Sequence, residues 1–512
     1  MLLPGGSAEA PGALAVLFPP RAITVKSDSA DGGDDRVDYA GTFEAHDGSP
    51  IEISAQRQVL RRALRTVLDG TGFAAGLEAH PMVDFEPGTE RTTVLDGFTV
   101  QHLPSVDHTI PGHAHTLECR GTSPTIRNNI VRFNGSTGIG VHATFGDGDH
   151  AGPVTDYRLA NAGAIPSPLI EDNVVHHSQG MGLGNNHYSR AEMRGNEVFD
   201  NRALHADDSA AGIGSRHGAR PVIEDNLVYR NGWGGIVVHQ GVLQGEHPID
   251  VRTSAVIRGN EVLANGDEGA PAERRISIGV DGVGTEDDPV IIEGNVSRGS
   301  PSAGIGVRNE MSGPQYAGDD TWVRIVGNTV EDAAQAGIAC IGSAAGTTHC
   351  HIERNVVTHS GTSGVSFGGQ GGGAGPVVGA ARHNTVAFNG AVGLRSQAGQ
   401  QVEVRNNLLY ANAGPGLLHP TGAHDHNGVC GNNGVDPGCG SMPFCVNPQY
   451  GLGGGGQGQG AGDVGAEPAF VDADGGDFSL SPGSPAIDAG ADLGAPFHGA
   501  APDLGALEMD GG

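Results

Sequence analysis

The chain has 512 residues, 87 of them glycine, with only 4% aromatic residues and a formal charge of −30. That balance disfavours nucleic acid and anionic membranes as partners, and no apolar run reaches the ~18 residues of a membrane span. Aliphatic positions recur too regularly for a low-complexity chain, so the composition suits a core of stacked Val, Ile and Leu with glycine at the turns.

Residues 1–110 read as early, divergent coils. The opening "MLLPGGSAEAPGALAVLFPP" lacks a basic leader and is broken by Pro and Gly, so it is a poor signal peptide. It reads as part of a first coil, with the native start and any export signal missing from this chain. "AITVKSDSA" and "TTVLDGFTVQ" are strand-like. Between them, "SAQRQVLRRALRTVLDG" places Val59, Leu60, Ala63, Leu64, Val67 and Leu68 on one helical face. A helix is therefore expected near 54–69, capped by Ser54 and ended by Gly70, with Arg57, Arg61, Arg62 and Arg65 on a solvated side.

From 111 to 420 the chain rewrites one phrase. "PLIEDNVVHHSQGMGLGNN" is followed by "PVIEDNLVYRNGWGGIVVH", and later by "VIIEGNVSRGSPSAGIGVR" and "HIERNVVTHSGTSGVSFGG". Asn129, Asn173, Asn196, Asn226, Asn260, Asn295, Asn328, Asn355, Asn384 and Asn407 share this frame, spaced by 23 to 44 residues. An aliphatic residue usually lies three positions before each Asn and another two positions after it. A third short strand usually begins about nine residues on. Strands this short are satisfied only by coiling and pairing with the next coil at about 4.8 Å, with like residues stacked. The Asn row then forms a hydrogen-bonded ladder at a tight bend, and losing one rung is expected to cost about 1–3 kcal/mol.

Read with period two, the third strands turn Leu117, Ile139, Leu183, Ile213, Ile236, Ile278, Ile305 and Ile338 inward. Their first outward position is mostly glycine and is expected to form a bare shelf, and the next is polar: Arg120, His142, Asn186, Arg216, His239, Asp281 and Arg308. Long turns around 142–167, 201–210, 239–254, 265–275 and 309–321 flank these strands and are expected to wall a groove. Outward strand residues are polar on any solvated face, so the row alone does not require a function. If it acts, His239 and Asp281 are the candidate catalytic pair. His142, Asn186, Arg216 and Arg308, with Asp207 and Asp208 from the neighbouring loop, are candidate substrate-binding residues. Arg216, His239, Asp281 and Arg308 are expected to stand accessible in one file. The row contains no set of metal ligands.

Residues 421–512 begin with a Gly- and Cys-rich segment carrying Cys430, Cys439 and Cys445. "DADGGD" offers Asp472, Asp474 and Asp477 as an incomplete calcium-binding set. Upstream, Cys340 and Cys350 flank a short loop and suit a disulfide in an exported protein.

The repeated frame resembles the right-handed parallel β-helix of the pectate-lyase-like superfamily over about residues 90–420. "EPAFVDADGGDFSLSPGSPAIDAGADLGAPFHGAAPDLGALE" resembles the terminal segment of exported bacterial β-helix proteins. The resemblance implies an all-β, right-handed parallel β-helix of about ten or more coils, three short strands each, with a C-terminal closing region over its open end. It implies secretion or a cell-surface location. The function expected is binding or cleavage of an acidic polysaccharide or cell-surface glycan by a monomer; if it is an enzyme, it is a polysaccharide lyase or glycoside hydrolase. The alternative is a non-catalytic, adhesin-like surface or structural protein. The sequence has no Arg-x-x-Pro-x-x-Arg lyase signature, Lys26 is its only lysine, and with 2 Trp and 7 Tyr it offers few sugar-stacking platforms.

Overall fold

The computed structural model describes residues 2–4, 14–18, 22–27, 33–45, 48–71, 81–86, 88–104, 115–144, 165–203, 210–241, 251–267, 270, 275–309, 318–343, 346–368, 375–418, 424–432 and 460–509. The chain divides into two compact units, Met1–Arg274 and Arg275–Gly512.

Each unit is a parallel β-helix. In the first, one sheet runs from Thr24–Lys26 through Val94–Asp96, Thr125–Arg127, Leu169–Glu171, Glu192–Arg194 and Val222–Glu224 to Val256–Arg258. A second sheet runs from Val67–Asp69 to Glu261–Leu263. A third runs from Leu14–Phe18 through Val83–Phe85, Leu117–Arg120, Ile139–His142, Leu183–Asn186 and Ile213–Arg216 to Ile236–His239. The second unit repeats the plan, its third sheet running from Ile278–Asp281 and Ile305–Arg308 to Leu417–Leu418.

Register follows the stacking expected from the sequence. Ile126, Ile170, Met193, Ile223 and Ile257 pair in succession and are fully buried, as are Val131, Val175, Val198, Val228 and Val262 in the second sheet. Because side chains alternate, this one register keeps every aliphatic row inside.

The Asn ladder forms as expected. Asn173 donates from both its backbone N–H and Nδ2 to Asn196 Oδ1 at 3.0 Å, and Nδ2 also reaches Ile126 O across the preceding coil. The residue before each rung turns the corner with positive φ, as at Asp172 (54°) and Gly195 (65°). A second ladder, unforeseen in the sequence, lies five residues further on. It includes Asn201–Asn231–Asn265 in the first unit and Asn389–Asn412–Asn432 in the second. It was legible as a second Asn in "NEVFDN", "NLVYRN" and "NLLYAN", wherever Ser or Ala does not replace it. The first ladder ends at Asp463, whose Oδ1 accepts the Asn427 backbone N–H at 2.7 Å. An acceptor-only carboxylate fits there because no further rung needs a donor.

The helix near 54–69 is shorter than expected: only Arg61–Arg65 is helical, with no side-chain cap. Val59–Leu60 instead pairs with Arg36–Val37, and Val67–Asp69 joins the second sheet beside Thr99–Gln101. Strand pairing captures both Val-Leu pairs and leaves the helix one turn. Residues 36–65 are therefore not a coil. They include the hairpin Ala40–Glu44/Pro50–Ser54 and cover the outer face of the second sheet, where Tyr39, Ile53, Leu60 and Ala63 pack on Ile130, Val174, Phe199 and Tyr229.

Arg62 is not solvated but 2% exposed. It donates to Asp96 Oδ1 and Asp96 O at 2.6 Å, Ser27 Oγ at 3.0 Å and Asp34 Oδ1 at 2.8 Å. In a buried place, only that many acceptors make a guanidinium tolerable.

In the second unit Cys340 and Cys350 are disulfide-bonded, while Cys119 and Cys430 are free and buried; Cys439 and Cys445 lie outside the described residues. The C-terminal segment first adds a partial coil through the bridges Asp425–Ala461 and Gly428–Val464. It then folds back along the flank, packing Leu480, Ala486 and Leu504 on Leu408 and bonding Ala491 to Asn406. It therefore covers a side of this unit as well as extending its last coil. No helix among the described residues is long and apolar enough to cross a membrane.

Candidate functional site

The outer faces of the first unit differ. On the second sheet the face is covered by residues 36–65. The first sheet carries exposed ion pairs such as Arg194–Glu171 and Arg258–Glu224, which contribute little. Charged and polar groups are instead gathered and partly buried on the third sheet.

There, Arg120 pairs in register with His142, and Asn186 with Arg216 and Arg216 with His239. Neighbours in these pairs therefore stand one strand apart, about 4.8 Å. Arg216 and His239 are partly exposed; His142 and Asn186 are buried. Arg216 Nε donates to Asn186 Oδ1 at 2.9 Å, which fixes the guanidinium along the strand. His217, the next residue, is buried and contacts His187 (Nδ1···Nε2 3.1 Å). Burial, then the neighbouring His187, Arg216 and His239, pushes the His217 pKa well below its usual value, so that it stays neutral.

In the second unit Asp281 and Arg308 pair in register as expected, with Arg308 Nε 3.9 Å from Asp281 Oδ2. The expectation that all four residues of the file stand accessible fails at Asp281, which is only 5% exposed. The register did not slip, since Ile278 and Val280 remain inside; Asp281 is buried where it stands, beside a partly exposed Arg308. His239 belongs to the first unit and Asp281 to the second. Asp207 and Asp208, with most of the long turns expected to wall the groove, lie outside the described residues.

Nor is the glycine column a bare shelf. A Cβ on Gly140 would lie 2.1 Å from Cγ of His115, and one on Gly214 would lie 2.1 Å from Sδ of Met181. Side chains arriving just before the third strand lie over these glycines, and in the second unit Ile276 does so over Gly306. The missing Cβ atoms make room for them.

Where glycine is replaced, the sequence reading missed a centre. Glu118 occupies the column of Gly140, Gly184 and Gly214, and its strand neighbour on the other side is Asp84. Glu118 is buried and accepts from Arg120 (Nη2 2.5 Å, Nε 3.0 Å), while His142 Nε2 lies 2.8 Å from its Oε1. Burial alone would raise the Glu118 pKa, but His142 and Arg120 hold it well below the usual carboxylate range. Asp84 is pushed up to about 6, by burial first and then by the charge of Glu118. His115 lies above, its ring centroid 5.8 Å from that of His142. Donor atoms of His115, Glu118 and His142 lie within 4.8 Å of one another, so this trio can hold a metal ion. The signal was available as an acidic residue at the position where the following coils carry glycine, "HTLEC" against "GIGVH" and "GLGNN".

The calcium reading finds no such grouping. Asp472, Asp474 and Asp477 are exposed on a hairpin, where Asp472 and Asp477 accept the backbone N–H of Gly475 and Ser479.

The family profile described as the right-handed β-helix region matches residues 115–320 and 315–435. The chain belongs to this right-handed β-helix family. A comparison with curated protein sequences finds no match. Among solved structures, this β-helix protein is similar to the periplasmic alginate epimerase AlgG (13% identity, 66% of this chain and 75% of that one, TM-score 0.38). It is also similar to pectate lyase Pel9A (17%, 86% and 90%, TM-score 0.31). A third is the catalytic unit of a GH87 α-1,3-glucanase from Streptomyces thermodiastaticus (12%, 78% and 61%, TM-score 0.29).

Proposed function

We propose that this β-helix protein is exported and binds an acidic polysaccharide along the outer face of its third sheet, where it cleaves the chain by elimination or hydrolysis. The observation that carries the reading is a set of partly exposed guanidinium groups on rigid strands: Arg120 and Arg216 in the first unit, with His239 beside Arg216, and, separately, Arg308 in the second. A polymer with a carboxylate or sulfate on successive sugars presents anions at regular intervals, and guanidinium groups on a stiff lattice meet them with little entropy to lose. The reading assigns acid–base chemistry to Asp84, the strand neighbour of Glu118. His239 and Asp281 serve it less well, because Asp281 is buried beside Arg308 and fits the task of orienting that guanidinium. The disulfide supports an oxidising compartment.

The test is retention on a panel of uronate, sulfated and neutral glycans, with chain length read out for each glycan retained. Arg216→Ala and Arg308→Ala should each weaken retention of an acidic glycan about tenfold and leave neutral glycans unaffected. The second reading, a non-catalytic surface protein, draws on the pre-paired state of the row: Asn186 with Arg216, and Asp281 beside Arg308. Absence of retention and cleavage across the whole panel would favour it.

A further inference from the structure

We infer that His115, Glu118 and His142 form a binding site for a divalent first-row metal ion of the zinc class. Three observations converge on it. The donor atoms lie within 4.8 Å of one another, and all three residues are buried. Two imidazole nitrogens and a carboxylate oxygen are a zinc donor set. Calcium and magnesium would demand a shell of oxygens that this cluster does not supply.

The second observation is the orientation of His142. Its Nδ1 lies 3.2 Å from Ala143 O while Nε2 faces Glu118 Oε1 at 2.8 Å. A carbonyl on the far nitrogen fixes the proton on Nδ1, which is how a metal-binding imidazole is commonly held. That tautomer aims the Nε2 lone pair at a carboxylate, an unfavourable pairing unless a cation, a second proton or a metal, lies at the junction.

The third is that the site is built into the coil. Gly140 lacks the Cβ that would strike the His115 ring at 2.1 Å, so the ring can lie across the strand toward Glu118 and His142. Glu118 stands in this column on the strand beside Gly140, the position that the His115 ring covers. Arg120 on the same carboxylate, at 2.5 and 3.0 Å, orients it for its other partners. Cys119 is buried between Glu118 and Arg120 on the opposite, core-facing side of the strand and is not a ligand. Three protein donors leave a coordination position for water or another oxygen.

The test uses the full chain, stripped with a chelator and titrated with zinc sulfate alone, so its outcome is independent of any glycan. Wild type should take up a single tight equivalent and, with cobalt in place of zinc, give a visible ligand-field spectrum. Glu118→Gln and His115→Ala should each weaken the tight equivalent at least tenfold and abolish that spectrum, while the exposed-histidine control His498→Ala binds as wild type does. Because Glu118 is buried in a network, His115→Ala is the deciding variant: it leaves the bonds of Glu118 to Arg120 and His142 in place, and circular dichroism checks its fold. Folded wild type that takes up no tight zinc, or a folded His115→Ala that binds zinc as tightly as wild type, overturns the site.

Discussion

Replacing Asn226 by alanine takes out one rung near the middle of the first unit's ladder. Its Oδ1 accepts the Asn196 backbone N–H and Asn196 Nδ2, both at 2.9 Å, and its Nδ2 donates to Met193 O at 2.8 Å and Asn260 Oδ1 at 3.0 Å. Asn196 Nδ2 keeps bonds to Ile170 O and Arg194 O, and Asn260 Oδ1 keeps the Asn226 N–H, so those groups are spared. The Asn196 backbone N–H, fully buried, loses its acceptor. That stranded donor costs about 1–3 kcal/mol, and the two bonds donated by Asn226 add about 1 kcal/mol each, giving roughly 3–5 kcal/mol. The sequence supported about 1–3 kcal/mol because it did not reveal how many bonds each rung makes, to a neighbour's side chain as well as to its backbone. Asn355→Ala, with the same pattern toward Asn328 and Asn384, should cost about as much in the second unit. Guanidinium unfolding followed by circular dichroism measures both. If each variant lies within about 0.5 kcal/mol of wild type, the ladder is not the support described.

Other perturbations test separate parts of the account. Arg62→Ala should destabilise the first unit by about 3 kcal/mol, at the low end for a broken buried pair because Arg127 still meets Asp96 at 3.1 Å; denaturant midpoints would show it. His383 accepts from Asn406 Nδ2 at 3.0 Å, and burial lowers its pKa to about 4. Its stabilising contribution, up to about 3 kcal/mol, is complete above the usual imidazole value of about 6.5 and lost as pH falls through about 4. Melting temperature should therefore drop across that window, and less so in His383→Gln. Gly140→Ala should displace the His115 ring and weaken zinc binding at least tenfold without touching a ligand, as isothermal titration would report.

The architecture was legible because its determinants are local and repeated. The αL corner, the ladder Asn and the aliphatic rows at fixed offsets fix register without any long-range information. The helix was overestimated because Val59, Leu60, Val67 and Leu68 satisfy a helical face and a strand equally well, and only their partners Arg36–Val37 and Thr99–Gln101 decide between them. The Arg/His/Asp row was legible as an offset, but its burial was not: nothing local says that Asp281 is covered while Arg216 is partly exposed. The glycine column suggested open space because a sequence shows a missing side chain but not the neighbour that uses the room. His115 stands three residues before Glu118 and on the coil before His142, so the cluster emerges only when the coils are stacked.

The most direct measurement is the binding and chain-length assay on an acidic oligosaccharide, comparing wild type, Arg216→Ala and a first-sheet control, Arg258→Ala, whose guanidinium pairs with Glu224 on another face. The account predicts that wild type retains and shortens the chain, that Arg216→Ala loses about tenfold in retention, and that Arg258→Ala matches wild type. Equal retention by all three proteins would contradict a binding face on the third sheet.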